Sequence, residues 1–368
     1  DCLLSRGLGD VYKRQEYKIY KQKNHRKILY LAVIVTFIAL FCLSYGTDTG
    51  FSRSLTAIYN YLFNHTIAAE TAAIDKIIIF LRLPRLCLAL LAGAGLSISG
   101  MMMQSVTRNF LVSPFTLGVS SAAAFGASLC IVFGNATIFF NNFLIIGSAF
   151  FSAMFSLCIV FLVANKIGVT ANSIILVGIA LNYFFAALTA SLQFFAQENK
   201  LAAVVQWTFG TFNRANWDAV IIIGIVVLIC SLYSFKLLLQ WNAIAGSDDE
   251  LVKSLGINPE KLRGKTMFLA VLITATIISF TGVIGFVGLI APHIARFLVG
   301  NDHTFLFPMS GLIGAGLLLL ADTLGIFILY PVNVPVGIVV SFIGVPIFIH
   351  LIPVSYTHLR AHETRGNL

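Results

Sequence analysis

Apolar residues in this chain gather in long blocks separated by short polar breaks. They do not alternate as in a strand, nor do they form the narrow stripe of a surface helix. A hydrocarbon core about 30 Å thick is crossed by roughly 20 helical residues rising ~1.5 Å each. Blocks of that kind predict spans near 28–46, 83–103, 114–134, 143–165, 173–196, 217–239, 265–285, 288–299, 305–325 and 335–352. The block 288–299 is short. Before it, GVIGFVGLIAPH (282–293) sets three glycines and a proline inside an apolar run. That pattern predicts a broken helix, which a membrane tolerates only where protein or a cavity satisfies the backbone.

Composition excludes the alternatives. Hydrophobic residues make up 58% of the 368 and charged residues only 11%, against about 25% charged in soluble domains. The expected class is an all-α polytopic membrane protein of about ten transmembrane helices. The six cysteines stand singly, without ligand spacing, and read as small buried apolar groups.

The net charge of +9 includes two ends unlike their neighbours. Residues 1–15 (DCLLSRGLGDVYKRQ) and 353–368 (PVSYTHLRAHETRGNL) resemble translated adaptor sequence, leaving 16–352 as one membrane domain. Without them the charge is +7. With the N-terminus inside, thirteen basic residues fall in inside segments, among them Lys18, Arg26, Arg108, Lys236 and Arg263. Six fall outside: Arg53, Lys76, Arg82, Arg85, Lys200 and Arg214. The bias predicts both termini inside.

No GxxxxGK[ST] loop occurs, so ATP energy would have to come from another chain. No catalytic or metal-ligating set is expected. The longest inside loop, Trp241 to Gly264, is the most structured connection. Ser247, Asp248, Asp249 and Glu250 read as a capping box, with Ser247 as N-cap and acids in the first turn. Leu251, Val252 and Leu255 would form an apolar face, and Gly256 would stop the helix. Asn258 and Pro259 would start a second short helix, with proline at its first position. The pair fits an amphipathic connector on lipid or a docking knob for a partner.

At the outer end of the second span, Arg82 and Arg85 flank Pro84. They suit snorkelling to headgroups or receipt of carboxylates from a docking protein. Gln104, Asn182, His293, Asp302, His303 and Asp322 are polar residues in or near apolar blocks. For the histidines, capping and inter-helix hydrogen bonds are favoured over metal. The two aspartates are expected to cap helices or pair with Arg296. In a rival ion-gradient transporter either would be the ion site. Gly100 to Arg108 and Gly288 to Arg296 repeat one spacing, a faint internal echo.

Four separated motifs now occur in order: RLPRLCLALLAGAGLSISGMMMQSVTRNFLVSPFTLGVSS from position 82, DDELVKSLGINPEKLR from 248, GVIGFVGLIAPHIARFLVGNDHTFLFP from 282, and VPVGIVVSFIGVPIFI from 334. Together they resemble the FecCD-type permeases, membrane subunits of type II ABC importers for iron-siderophores, haem and cobalamin. The resemblance implies a cobalamin-importer-like fold and a dimer of permeases, either two copies or a paralogue pair. It also implies two cytoplasmic ATPases that use the ATP, an extracytoplasmic binding protein, and the bacterial inner membrane. Iron-siderophore is the expected cargo. By the same resemblance Arg82 and Arg85 receive the binding protein, residues Ser247 to Arg263 dock the ATPase, and Thr170, Ala171 and Asn172 form an inner gate loop. Ile326 and Asn333 stand where many members carry Arg and Glu.

Overall fold

A computed structural model describes residues 2–44, 50–64, 72–134, 138–168, 170–329 and 332–349. The end segment 353–368 lies outside them. The described residues are helical and contain no strand. Seven helices are long and apolar enough to cross a membrane, and three shorter apolar helices accompany them. These ten correspond one to one with the ten predicted apolar blocks.

The ten are α1 (Cys2–Ser44), α4 (Leu83–Thr107), α5 (Val119–Phe133), α6 (Ile138–Ile167), α7 (Ala171–Phe195), α9 (Trp217–Phe235), α12 (Pro259–Thr281), α13 (Val287–Val299), α14 (His303–Phe327) and α15 (Val336–Ile349). The segment expected only as a connection between the first two spans carries α2 (Gly50–Tyr59) and α3 (Ala72–Ile77). From α3 a π-helical turn, Ile78–Arg82, runs directly into α4. Three further helices lie between spans: α8 (Glu198–Thr208), α10 (Leu238–Gly246) and α11 (Asp249–Ser254).

Polar caps fix several starts. Asn216, Asn258 and Asp302 each accept a backbone N–H from the first turn of α9, α12 and α14, which satisfies one otherwise unpaired donor. Thr170 and Ser173 form a reciprocal capping box on α7. Pro259 opens α12, where its missing N–H costs nothing.

α4 is the axis of the bundle. From Gly95 to Thr107 every residue is buried, and α12, α13 and α14 pack on it. Backbones meet directly at two crossings. A Cβ placed on Gly93 would lie 2.2 Å from the Gly314 carbonyl oxygen, and one on Gly100 would lie 1.7 Å from that of Gly288. Close approach of this kind supplies the dispersion contact that holds helices together in lipid. The echoed glycines Gly100 and Gly288 are thus partners at one crossing.

The predicted break is present. α12 ends at Thr281, Gly282 turns the chain with φ +77°, and α13 begins at Val287. The freed carbonyl of Thr281 accepts the Thr211 N–H at 2.7 Å, so another segment satisfies the broken backbone.

Candidate functional site

The two ends of α4 hold the charged groups. At its start, Arg85 donates from Nε to Asp322 Oδ2 at 2.8 Å and from Nη2 to Oδ1 at 2.7 Å. Its Nη1 donates to Asn213 at 2.9 Å. This is a bidentate fork closed on a buried carboxylate, and it corrects two expectations. Arg85 is not an open receiver for a partner's carboxylate, because Asp322 already fills its fork. Asp322 pairs with Arg85 and not with Arg296. Arg82 sits partly buried in the π turn and is also engaged within the chain.

At the other end, Arg108 caps α4 in the left-handed conformation (φ 51°), a position glycine usually fills. Its side chain is clamped from Nε to the Ile244 carbonyl at 2.6 Å and from Nη2 to Asp249 at 2.8 Å. Arg263 of α12, 2% exposed, donates twice to the same carboxylate at 2.9 Å, and from Nε to the Val106 carbonyl. One aspartate therefore holds two arginines. The hydrogen bonds and charge of Arg263, joined by Arg108, hold the Asp249 carboxyl below the usual carboxylate range against the opposing effect of burial.

This arrangement corrects the reading of the inside loop. The capping box does not form. α10 runs on to Gly246, Ser247 follows as its C-cap, and Asp248 stands at the N-cap of α11 without a side-chain bond. Arg263 and Pro259 are buried, so neither is a contact surface, and Asp249 is a pin that stays partly exposed. The second short helix is the start of α12 itself. The apolar face also divides. Val252 is fully buried, whereas Leu251 and Leu255 are 55% and 61% exposed. Gly256 ends the helix with φ +81°, as expected. Asp248 and Glu250 are exposed.

Thr170 is the N-cap of α7, with Ala171 and Asn172 in its first turn, so the three residues expected to form a gate loop sit together at one helix start. Asp302 caps α14 and accepts from Asn242 at 3.0 Å. His303 bonds Asn242 and Ser105 across helices, the expected role. With Asp302 and Asp322 both committed, neither presents an open ion site.

An apolar cavity of about 600 Å³ lies where the break meets α15. Phe115, Phe209, Phe286 and Phe342 line it together with Gly285 and Gly337.

A helical bundle that is apolar outside, carries a broken helix beside a cavity and exposes two leucines on a pinned loop defines a polytopic membrane permease. The chain belongs to the FecCD transport family, whose sequence profile matches residues 31–353. It is 39% identical over 351 residues to a Methanocaldococcus jannaschii protein named for an ABC transporter permease, covering 93% of this chain and 98% of that one. It is 34% identical to the molybdate import system permease protein MolB of Haemophilus influenzae (88% and 95% covered) and 38% identical to the iron(3+)-hydroxamate import system permease protein FhuG of Bacillus subtilis (77% and 85%). A solved structure described as a metal-chelate type ABC transporter in an inward-facing conformation matches with a TM-score of 0.77 and 31% identity, over 89% of this chain and 98% of that one. The chain is thus an ABC transporter permease subunit and not itself an enzyme. That membership sets aside the ion-gradient rival.

Proposed function

We propose that this permease carries an iron-siderophore complex across the bacterial inner membrane, with both termini in the cytoplasm. It works with a second permease copy or paralogue, two cytoplasmic ATPases that hydrolyse the ATP, and an extracytoplasmic binding protein. The kinship to the ferric hydroxamate permease of Bacillus subtilis supports the cargo. The aromatic-lined cavity at the break suits a bulky chelate better than a bare ion.

The observation that carries the mechanism is the pinned loop with two leucines turned outward. Leu251 on α11 and Leu255 at its C-cap stand four residues apart, and Arg108 and Arg263 fix the base of the helix through Asp249. A rigid base transmits a push from a docked ATPase to α4 and α12 together. The outer face around Arg82 receives the binding protein, and Thr170 to Asn172 close the inner mouth.

Leu255→Asp tests this. Leu255 is exposed, so the variant stays folded, while burying one leucine against a partner is worth about 1.5–3 kcal/mol. The expected result is permease in the membrane with little ATPase co-purifying and no uptake of radiolabelled ferric hydroxamate. Full ATPase retention with full uptake refutes the docking role. ATP-driven uptake of molybdate but not of ferric hydroxamate by the parent refutes the cargo alone.

A further inference from the structure

Beside the pinned loop lies a second, polar cavity of about 200 Å³. Gln104, Ser105 and Arg108 of α4 line it, with Asn242 of α10, Arg296 of α13 and Asn301 before α14. No carboxylate is among its lining residues. Two guanidiniums are. Arg108 shares its counter-charge, since Asp249 also serves Arg263. Arg296 has no carboxylate within 4 Å among the described residues. Its guanidinium stacks 4.4 Å above the Phe110 ring, and Nη1 donates to Gln104 Oε1 at 2.6 Å. Gln104 is 1% exposed and its amide donates to the Gly288 carbonyl, so the arginine is held in place from behind. Among the described residues the Arg296 side chain makes no other hydrogen bond, and it lines the cavity.

A cation set beside apolar helices without a counter-ion is costly. A ring face offsets part of that cost, and a neutral amide offsets less than a carboxylate. An anion would complete the charge. The donors are guanidinium forks and amides, which match the oxygen geometry of a tetrahedral oxyanion. The volume holds such an ion with a few waters at roughly 30 Å³ each. We infer that the cavity between α4, α10 and α13 is a binding site for a phosphate-class oxyanion, either free or carried by an acidic lipid headgroup. Arg296 is its principal ligand, with Arg108 and Asn301 at its rim. This site is separate from the apolar cavity at the helix break and does not rest on the cargo proposed above.

The probe is radiolabelled orthophosphate in equilibrium dialysis against the full-length permease in phosphatidylcholine nanodiscs. Saturable binding is expected. Arg296→Gln should weaken it at least about tenfold, the factor for one lost charge-assisted hydrogen bond. Because Arg296 also packs on Phe110, Asn301→Asp is the second variant. Asn301 is exposed and makes no side-chain hydrogen bond among the described residues, and a carboxylate there repels the anion without disturbing the fold. It should weaken binding by a similar factor, while Arg214→Gln at the far end should not. In phosphatidylglycerol nanodiscs, loss of phosphate binding together with Arg296-dependent lipid retention in native mass spectrometry assigns the site to the headgroup. Retained phosphate binding assigns it to the free ion. Absence of both, or binding unaffected by Arg296→Gln and Asn301→Asp, overturns the proposal.

Discussion

Each end of α4 carries an arginine held by an aspartate from a distant part of the chain, yet the two locks differ in kind. At the N-terminal end one carboxylate meets one guanidinium, and Asn213 takes the spare donor. At the C-terminal end one carboxylate serves two guanidiniums, and a third stands nearby without any among the described residues. The first lock is complete by itself and joins α4 to α14. The second is short of negative charge and joins α4 and α12 to a loop that shows leucines to solvent. A self-contained lock suits a fixed joint. A charge-deficient one suits a surface completed by something else.

The sharpest way to break this contrast is Asp249→Ala. It strips both carboxylate acceptors from Arg263, whose side chain is 3% exposed, and leaves the Val106 carbonyl. Removing one partner of a buried ion pair costs about 3–5 kcal/mol. Asp249 is itself partly exposed, so the lower end is expected, read as a fall in thermal unfolding temperature of the detergent-solubilised permease. An unchanged midpoint would mean that the lock at Asp249 is decorative.

Asp322→Asn should cost less, about 1–3 kcal/mol. Asparagine keeps one acceptor, and Arg85 retains Asn213. The charge swap Arg85→Asp with Asp322→Arg should recover part of that loss. If the double variant is as unstable as the sum of the two singles, the pair is not a lock.

The smallest effect is the acid response of the lock at Asp249. The folded-state value of Asp249 lies below its unfolded one. Its contribution is therefore fully present above the unfolded value, about 3.9, and is lost as pH falls through the lower folded value. Unfolding midpoints measured downward from pH 5 should decline in the parent, and Asp249→Asn should lack that component. Parallel curves would remove Asp249 from the acid response.

The ten apolar blocks and the break at Gly282 were legible because length and glycine spacing are local signals. The caps at Asn258, Asp302 and Thr170 act within three residues, and two of these were read from the sequence. The locks were not legible. Arg85 and Asp322 lie 237 positions apart, Arg108 and Asp249 lie 141 apart, and one sequence does not pair them. The failed capping box shows the same limit. Ser247 to Glu250 has the right residues, but α10 extends to Gly246 and Asp249 is drawn to Arg108 and Arg263. Tertiary charge outweighs a local cap worth about 1 kcal/mol. Likewise the spacing of Leu251, Val252 and Leu255 could not say which of them turns inward.

The buried polar face of α4 also has a history in time. Ser97 donates to the Ser310 carbonyl, Ser99 accepts from Thr274, and Gln104 receives Arg296. These partners are 213, 175 and 192 residues further along. A ribosome working at roughly 5–20 residues per second delivers them some 10–40 s after α4 emerges. For that interval α4 must shelter its hydroxyls and amide against its own backbone, in water-filled surroundings or beside an insertion factor, and the bundle closes only when its last third arrives.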